Sequence, residues 1–213
     1  MNSLLSTCFI PYLNSSLRPP VVCTPVAVAS IRIEIISAPI FDIQDKKTTI
    51  QQPQRNGSAT YNNPTKKTVA VIDYEHFLNL QPHQPDCTSD KDVIKKLELK
   101  KPDFIVYELG GTSFFFINEL SQSSKPSNKR SVAIIQMRNA LFHFSKVPKI
   151  KQFMDNFNKK CCIFSNRSNN VIMPDFANSF NSPNTFFPEP DVRPDKIINR
   201  LGFELIETAN IDI

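Results

Sequence analysis

The sequence predicts an α/β domain with a central, largely parallel sheet. The short apolar runs Thr68–Ile72 and Cys161–Phe164 have the length and composition of buried strands. Before the second run, apolar residues recur at i, i+3, i+4 and i+7 from Ile150 to Phe157, which predicts a helix with one buried face. Buried strands that alternate with amphipathic helices are typical of a parallel sheet covered by helices.

Composition indicates one globular core with irregular loops. The chain has 213 residues, of which 40% are hydrophobic and 21% are charged, and it contains 17 Pro but only 4 Gly. The net charge of +5 favours phosphorylated substrates or anionic lipid headgroups as partners. Because basic and aromatic residues are not interleaved, we expect no nucleic acid partner.

The cysteines and histidines argue against a structural zinc site. The five cysteines include no Cys-x-x-Cys pair, and the chain has only 3 His. Their odd number and irregular spacing favour a reducing compartment, so we expect a cytoplasmic protein. No run approaches the ~20 apolar residues that span a bilayer. We therefore expect no transmembrane segment, and only peripheral membrane contact is compatible with the sequence.

We expect two regions along the chain. Residues 1–66 comprise an irregular N-terminal arm, an edge strand over Ser30–Ser37 and a flexible linker that begins at residue 44. Residues 67–213 form the α/β core, in which Asp73–Asp90 is a polar loop and Gly110-Gly111 connects a hairpin. The predicted core strands are Lys67–Ile72, Asp103–Tyr107, Ser113–Ile117, Ser131–Met137, Cys161–Phe164 and Phe203–Ile206, and the predicted helices are 90–99, Lys149–Asn158 and Arg193–Leu201.

Polar side chains follow two of these strands. Asp73 and Glu75 come directly after the strand that ends at Ile72, and two carboxylates at a strand end could bind Mg²⁺. Ser165 and Asn166 end the later strand and offer a hydroxyl, an amide and backbone N–H groups to a phosphate. Together the two strand ends predict a phosphate and metal site.

These motifs resemble the haloacid dehalogenase-like (HAD) phosphatase superfamily. Asp73 resembles the first motif, and the helix Lys149–Asn158 with the strand Cys161–Asn166 resembles the second. The hairpin Phe104–Ile117 falls where that family inserts a small β flap, and Arg193-Pro194-Asp195-Lys196 is similar to the third motif. The resemblance implies a Rossmannoid three-layer sandwich with a central, largely parallel sheet.

The resemblance also implies a mechanism. An enzyme of this kind hydrolyses a phosphomonoester, such as a phosphoprotein, through an aspartyl-phosphate. In it, Asp73 would be the nucleophile, Glu75 the general acid and base, and both would hold Mg²⁺. The residues expected to bind the phosphoryl oxygens are Ser165, Asn166, Arg193 and Lys196. By analogy alone, a divergent phosphatase of this kind would be an effector that a bacterium secretes into a host cell.

Three alternatives remain open. The spacing from Cys161 to Arg167 matches the phosphate loop of cysteine-dependent phosphatases, although the intervening residues lack Gly. A strand that ends in Asp73-x-Glu75 also begins metal-dependent ribonucleases of the PIN and NYN kind. Such an enzyme needs further acids at later strand ends. Asp103 and Asp155 fit poorly, because Asp103 precedes its strand and Asp155 lies within a helix. The last alternative is a catalytically inactive α/β scaffold that binds a protein or lipid.

Overall fold

The fold is mixed α/β, with two sheets among the residues that the structure describes. The structure is a computed structural model that describes residues 1–16, 30–44, 58–80, 101–122, 126–166, 191–192 and 195–213. The strands are β1 (Ile33–Ile36), β2 (Ile40–Ile43), β3 (Ala59–Asn62), β4 (Val69–Asp73), β5 (Phe104–Glu108), β6 (Phe114–Ser121), β7 (Lys159–Asn166), β8 (Asp191–Val192), β9 (Glu204–Glu207) and β10 (Asn210–Asp212). The helices are α1 (Asn2–Leu4), a π-helical segment (Leu5–Phe9), α2 (Ile10–Ser16), α3 (Tyr74–Asn79), α4 (Pro126–Ser145), α5 (Pro148–Asp155) and α6 (Lys196–Arg200).

The larger sheet is mixed, which corrects the expectation of a largely parallel one. Its strand order is β1-β4-β5-β6-β7-β9-β8, and of the strand pairs described in this sheet only β6–β7 and β7–β9 are parallel. The Gly110-Gly111 hairpin forces β5 and β6 to be antiparallel, whereas the helical connection through α4 and α5 returns β7 parallel to β6. The hairpin is thus the centre of the sheet and not a peripheral flap.

Strand direction decides which residues share an edge. Strands β4, β6, β7 and β9 run the same way, so their C-terminal ends lie along one edge of the sheet. Because β5 is antiparallel to its neighbours, its N-terminal end lies at that edge too. Residues that precede β5 therefore stand beside residues that follow β4 and β6.

The predicted strand Ser131–Met137 is wrong, since these residues lie within the helix α4. Val132 and Ile135 suggested a strand because β-branched residues favour strands, yet both side chains are largely exposed. The buried residues of this helix recur instead at helical spacing, as Ala133, Ile134, Met137, Ala140, Leu141 and Phe144. None of the described helices is long and apolar enough to cross a membrane.

The described part of the N-terminal arm, residues 1–16, is helical and not irregular as predicted. Leu5, Phe9 and Ile10 are buried in the same hydrophobic cluster as Tyr74 and Phe144. This cluster covers one face of the larger sheet. The smaller sheet, in the order β10-β3-β2, covers part of the other face through Phe41, Tyr61 and Ile211, and the sequence did not predict it.

Asp195 makes the stability dependent on pH. Its carboxylate is buried, caps α6 by accepting from Ile197 N and Ile198 N, and pairs with Arg138 of α4. Burial alone would raise the pKa of Asp195, but the hydrogen bonds from Arg138 and the helix N–H groups outweigh it and lower that pKa. The stabilisation is therefore present above the pKa of the unfolded carboxyl group, about 4, and is lost as the pH falls through the lowered folded value.

We expect Asp195→Asn to lower the free energy of unfolding by about 1–2 kcal/mol at neutral pH, since the amide keeps the cap but loses the charge opposite Arg138. Urea unfolding of both proteins from neutral pH to pH 3 would show the difference shrinking in acid. A difference that stays constant over this range would contradict the assignment.

Candidate functional site

Asp73 lies where the sequence predicted it, at the end of β4, but its carboxylate is engaged. One oxygen accepts from His76 N at 2.9 Å and caps α3, and the other accepts from Arg32 Nη1 at 3.1 Å. The residue is only 8% exposed. Glu75 follows in the first turn of α3 and is half-buried. In this position, Asp73 caps α3 and forms an ion pair with Arg32.

Ser165 lies inside the protein and not at an open strand end. Ser165 is fully buried, and its Oγ lies 2.8 Å from Thr208 O and 3.1 Å from Asn118 Oδ1. Asn118 Nδ2 in turn donates to Tyr61 Oη at 2.8 Å. This chain of hydrogen bonds connects β6 and β7 to the smaller sheet. Ser165 therefore contributes to packing between the sheets.

The structure does not bring Asp73 and Ser165 together. Asp73 pairs with Phe104, Phe104 with Asn118, and Asn118 with Ile163, two residues before Ser165. Three strand spacings separate β4 from β7, or about 14 Å. A single phosphate cannot contact both side chains over that distance.

The structure does not place the remaining predicted phosphate ligands at one site. Asn166 ends β7, is half-buried and pairs in register with Ser121 of β6. Lys196 is exposed in the first turn of α6. Arg193 and Arg167 lie outside the described residues.

A second pair of acids stands at this edge, formed by Asp103 and by Glu119, a residue that the sequence did not single out. Continuing the β5–β6 register by one residue places Asp103 directly opposite Glu119. Side chains opposite each other in an antiparallel pair share a face, with Cβ atoms about 5 Å apart. Both residues are half-buried. We name Asp103 and Glu119 the acidic pair.

Three elements hold the acidic pair in place. Asp103 O accepts from Tyr74 N at 2.8 Å and from Glu75 N at 3.2 Å, at the start of α3. Asp103 Oδ2 accepts from Leu120 N at 2.8 Å. Gln136 of α4 donates to the carbonyl of Lys101 at 2.7 Å, which fixes the segment that enters β5. The backbone around the pair is therefore well ordered by hydrogen bonds.

The face that carries the acidic pair has further polar residues at the same edge. Alternation along the strands places Ser121, Asn166 and Glu207 on the side of Glu119, and Glu207 pairs with Arg130 of α4. Within the described ranges, no cluster of three or more Asp, Glu, His or Cys could hold a metal. Two carboxylates still suit Mg²⁺, which commonly binds proteins through one or two of them and retains several waters.

The cysteine alternative loses support. Cys161 and Cys162 are both buried in β7. Burial raises the pKa of the Cys161 thiol to about 12, although Lys159 acts in the opposite direction. At neutral pH Cys161 is therefore a thiol, whereas the nucleophile of a cysteine phosphatase is a thiolate.

Ser165→Ala tests where this side chain acts. We expect the free energy of unfolding to fall by about 1–3 kcal/mol, because Asn118 Oδ1 and Thr208 O lose a buried donor. We expect no effect on phosphoester hydrolysis beyond the loss of folded protein. Urea unfolding would measure the first, with the exposed Ser15→Ala as control. A large loss of activity with unchanged stability would restore Ser165 as a phosphate ligand.

Comparisons with known proteins add no identification. Neither a family model, nor a curated protein, nor a solved structure matches the chain.

Proposed function

We propose that the protein is a divalent-cation-dependent phosphodiesterase that acts on nucleic acid. The single observation that carries the proposal is the acidic pair, two half-buried carboxylates on adjacent strands at one sheet edge. This revises the preference for a phosphatase, because the objection to a nuclease was that Asp103 precedes its strand. In an antiparallel strand, that position is at the correct edge.

The acidic pair would hold Mg²⁺ between two strands. A cation held by Asp103 and Glu119 would supply charge neutralisation at a phosphate oxygen and would favour deprotonation of water for attack on phosphorus. The P–O bond to one ester oxygen would break, and that oxygen would leave with a proton taken from solvent. Ser121 and Asn166, one and two strands away from Asp103 at the same edge, would donate hydrogen bonds to the substrate backbone. The mechanism needs no covalent intermediate and leaves Asp73 as the cap of α3.

The charge of the surroundings supports a polyanionic substrate. Lys101 lies two residues before Asp103, and Lys129 and Arg130 lie near the start of the helix that follows β6, where Arg130 pairs with Glu207. Basic residues that flank an acidic metal site attract a phosphate backbone while the cation engages one phosphodiester. The expectation that nucleic acid would not bind is replaced by this proposal.

The aspartyl-phosphate phosphatase is a second candidate. Asp73 stands at the same edge as the acidic pair, and the Arg32 guanidinium beside it could contact a phosphate. In this case Asp73 would have to leave its cap on α3 to attack phosphorus. The scaffold alternative has no separate observation in its favour.

The first experiment measures cation binding without activity. Thermal melting with and without about 10 mM MgCl₂ or MnCl₂ should show a rise of about 3 °C for the wild type, because only the folded chain assembles the acidic pair. Asp103→Asn and Glu119→Gln should abolish the rise. Glu204→Gln, an exposed acid at the opposite end of β9, should keep it.

The second experiment separates the candidates by substrate. Hydrolysis of bis(p-nitrophenyl) phosphate and of single-stranded RNA and DNA, but not of p-nitrophenyl phosphate, would support the phosphodiesterase. Hydrolysis of the monoester alone, abolished by Asp73→Asn, would establish the phosphatase instead. A cation-insensitive protein without either activity would leave the scaffold.

A further inference from the structure

A cavity of about 270 Å³ opens at the end of the larger sheet opposite to the acidic pair. It lies between α5, the start of β7 and the turn that follows α6. Asn166 at the other edge is six residues further along β7 than Lys160 at the cavity, a distance of about 20 Å. The cavity is therefore distinct from the proposed active site.

Three cations surround the cavity mouth. Lys151, Lys160 and Arg200 all line it, and the acid among its lining residues is Asp155. Asp155 pairs with both lysines, and the hydrogen bond from Lys151 is the main reason that its pKa is lowered. Arg200 takes part in none of the ion pairs formed by described residues. The cavity mouth thus keeps a net positive charge.

Lys160 is held in position for this role. Its side chain is only 17% exposed, and its Nζ lies 5.8 Å from the centre of the Phe203 ring. Gly202 adopts φ +79°, and a Cβ at that residue would lie 3.4 Å from the Lys160 ammonium. A side chain at position 202 would therefore be strained by the positive φ, and its Cβ would make an ordinary van der Waals contact with the ammonium.

The floor of the cavity is apolar. Leu141, Met154 and Phe203 line it, and all three are buried against the main hydrophobic cluster. Small-molecule sites typically combine an apolar lining with a few charged or polar groups that fix the orientation of the ligand. The volume is near the lower limit of such sites, which restricts the ligand to a small molecule.

We propose that this cavity binds a small organic anion whose phosphate or carboxylate contacts Arg200 and Lys160 and whose short apolar body lies against the apolar floor. Tight binding of such a ligand requires both an ion pair at the cavity mouth and burial of apolar area at the cavity floor. Inorganic phosphate meets only the first requirement, and a neutral aromatic molecule meets only the second.

Calorimetry with the full chain in EDTA tests this proposal, because the acidic pair then has no cation to bind phosphate. The probes are phenyl phosphate, benzoate, inorganic phosphate and phenol. We expect one of the two aromatic anions to bind at least about tenfold more tightly than inorganic phosphate and phenol. The preferred aromatic anion identifies phosphate or carboxylate as the recognised group.

Charge-removing variants locate the binding. Arg200→Gln should weaken binding of the preferred anion about tenfold, and Lys160→Gln by a similar factor. Lys149→Gln removes an exposed charge from α5 outside the cavity lining and should have no effect. No binding of either aromatic anion, equal binding of phenol, or an equal loss in Lys149→Gln would overturn the proposal. None of these outcomes depends on hydrolysis at the acidic pair.

Discussion

Glu119→Gln should lower the rate of Mg²⁺-dependent phosphodiester hydrolysis by about 10²- to 10³-fold. The amide keeps the size of the carboxylate but removes one of the two negative charges that would hold the cation. Losing a single preorganised electrostatic group of this kind typically has an effect of that magnitude. The rate should be measured at saturating substrate over a range of Mg²⁺ concentrations, so that weaker cation binding and slower chemistry are distinguished.

Asp103→Asn should give a similar loss, and the double variant should lose little more than either single one. Two ligands of one cation act as a unit, so their effects on the rate are not additive. Asp103→Asn also weakens the contact with Leu120 N, so urea unfolding must accompany the kinetics. Additive losses would mean that the two acids act independently.

Two control variants make this result specific. Glu204→Gln removes an exposed acid from the far end of β9 and should leave the rate unchanged. Asp73→Asn keeps an oxygen that can accept from His76 N and should retain hydrolysis, although it weakens the ion pair with Arg32. If Asp73→Asn abolished activity while both variants of the acidic pair remained active, the acidic pair would not be the catalytic site.

Local patterns in the sequence predicted most of the elements of the described core. The strand ending at Asp73, the Gly110-Gly111 hairpin, the helix from Pro148 and the strand through Cys161 all form, because their hydrophobic spacing matches their structure. The predicted helix over residues 90–99 lies outside the described residues. The strand predicted at Ser131–Met137 is wrong because the segment is helical, with Val132 and Ile135 exposed and Ile134 and Met137 buried.

The order and register of the strands were the part that local patterns could not supply. Asp103 fitted a strand-end site poorly because it precedes its strand, although the predicted Gly110-Gly111 hairpin already implied that this strand is antiparallel to the next. Only the pairing of β4, β5 and β6 shows that this start lies beside Asp73 and opposite Glu119. Pairing is a long-range property, since hydrophobic spacing does not specify which strand lies next to which. The burial of Ser165 could not be predicted for the same reason, because it depends on how the smaller sheet packs against the larger one.

Phe115→Ala should produce the largest change in stability among the variants considered for this protein. Phe115 is fully buried near the start of β6, where its ring contacts Tyr107, Phe153, Phe157 and Phe203 at centroid distances of 5.6–6.2 Å. Removing a buried phenyl ring loses its transfer free energy and leaves a cavity, at a cost of about 3–5 kcal/mol. Because domains are typically stable by about 5–15 kcal/mol, much of the total would be lost.

Phe142→Ala is the matched control, since it removes the same ring from α4 where the side chain is 50% exposed. Its contacts are with His143 and the Lys146 ammonium at the surface, and we expect a change within about 0.5 kcal/mol. Urea unfolding followed by circular dichroism would measure both. The ring of Phe115 connects β5, α5 and the turn after α6, so its removal should weaken the whole sheet cooperatively, with one transition. A cost similar to that of Phe142→Ala would mean that the aromatic cluster does not form the core.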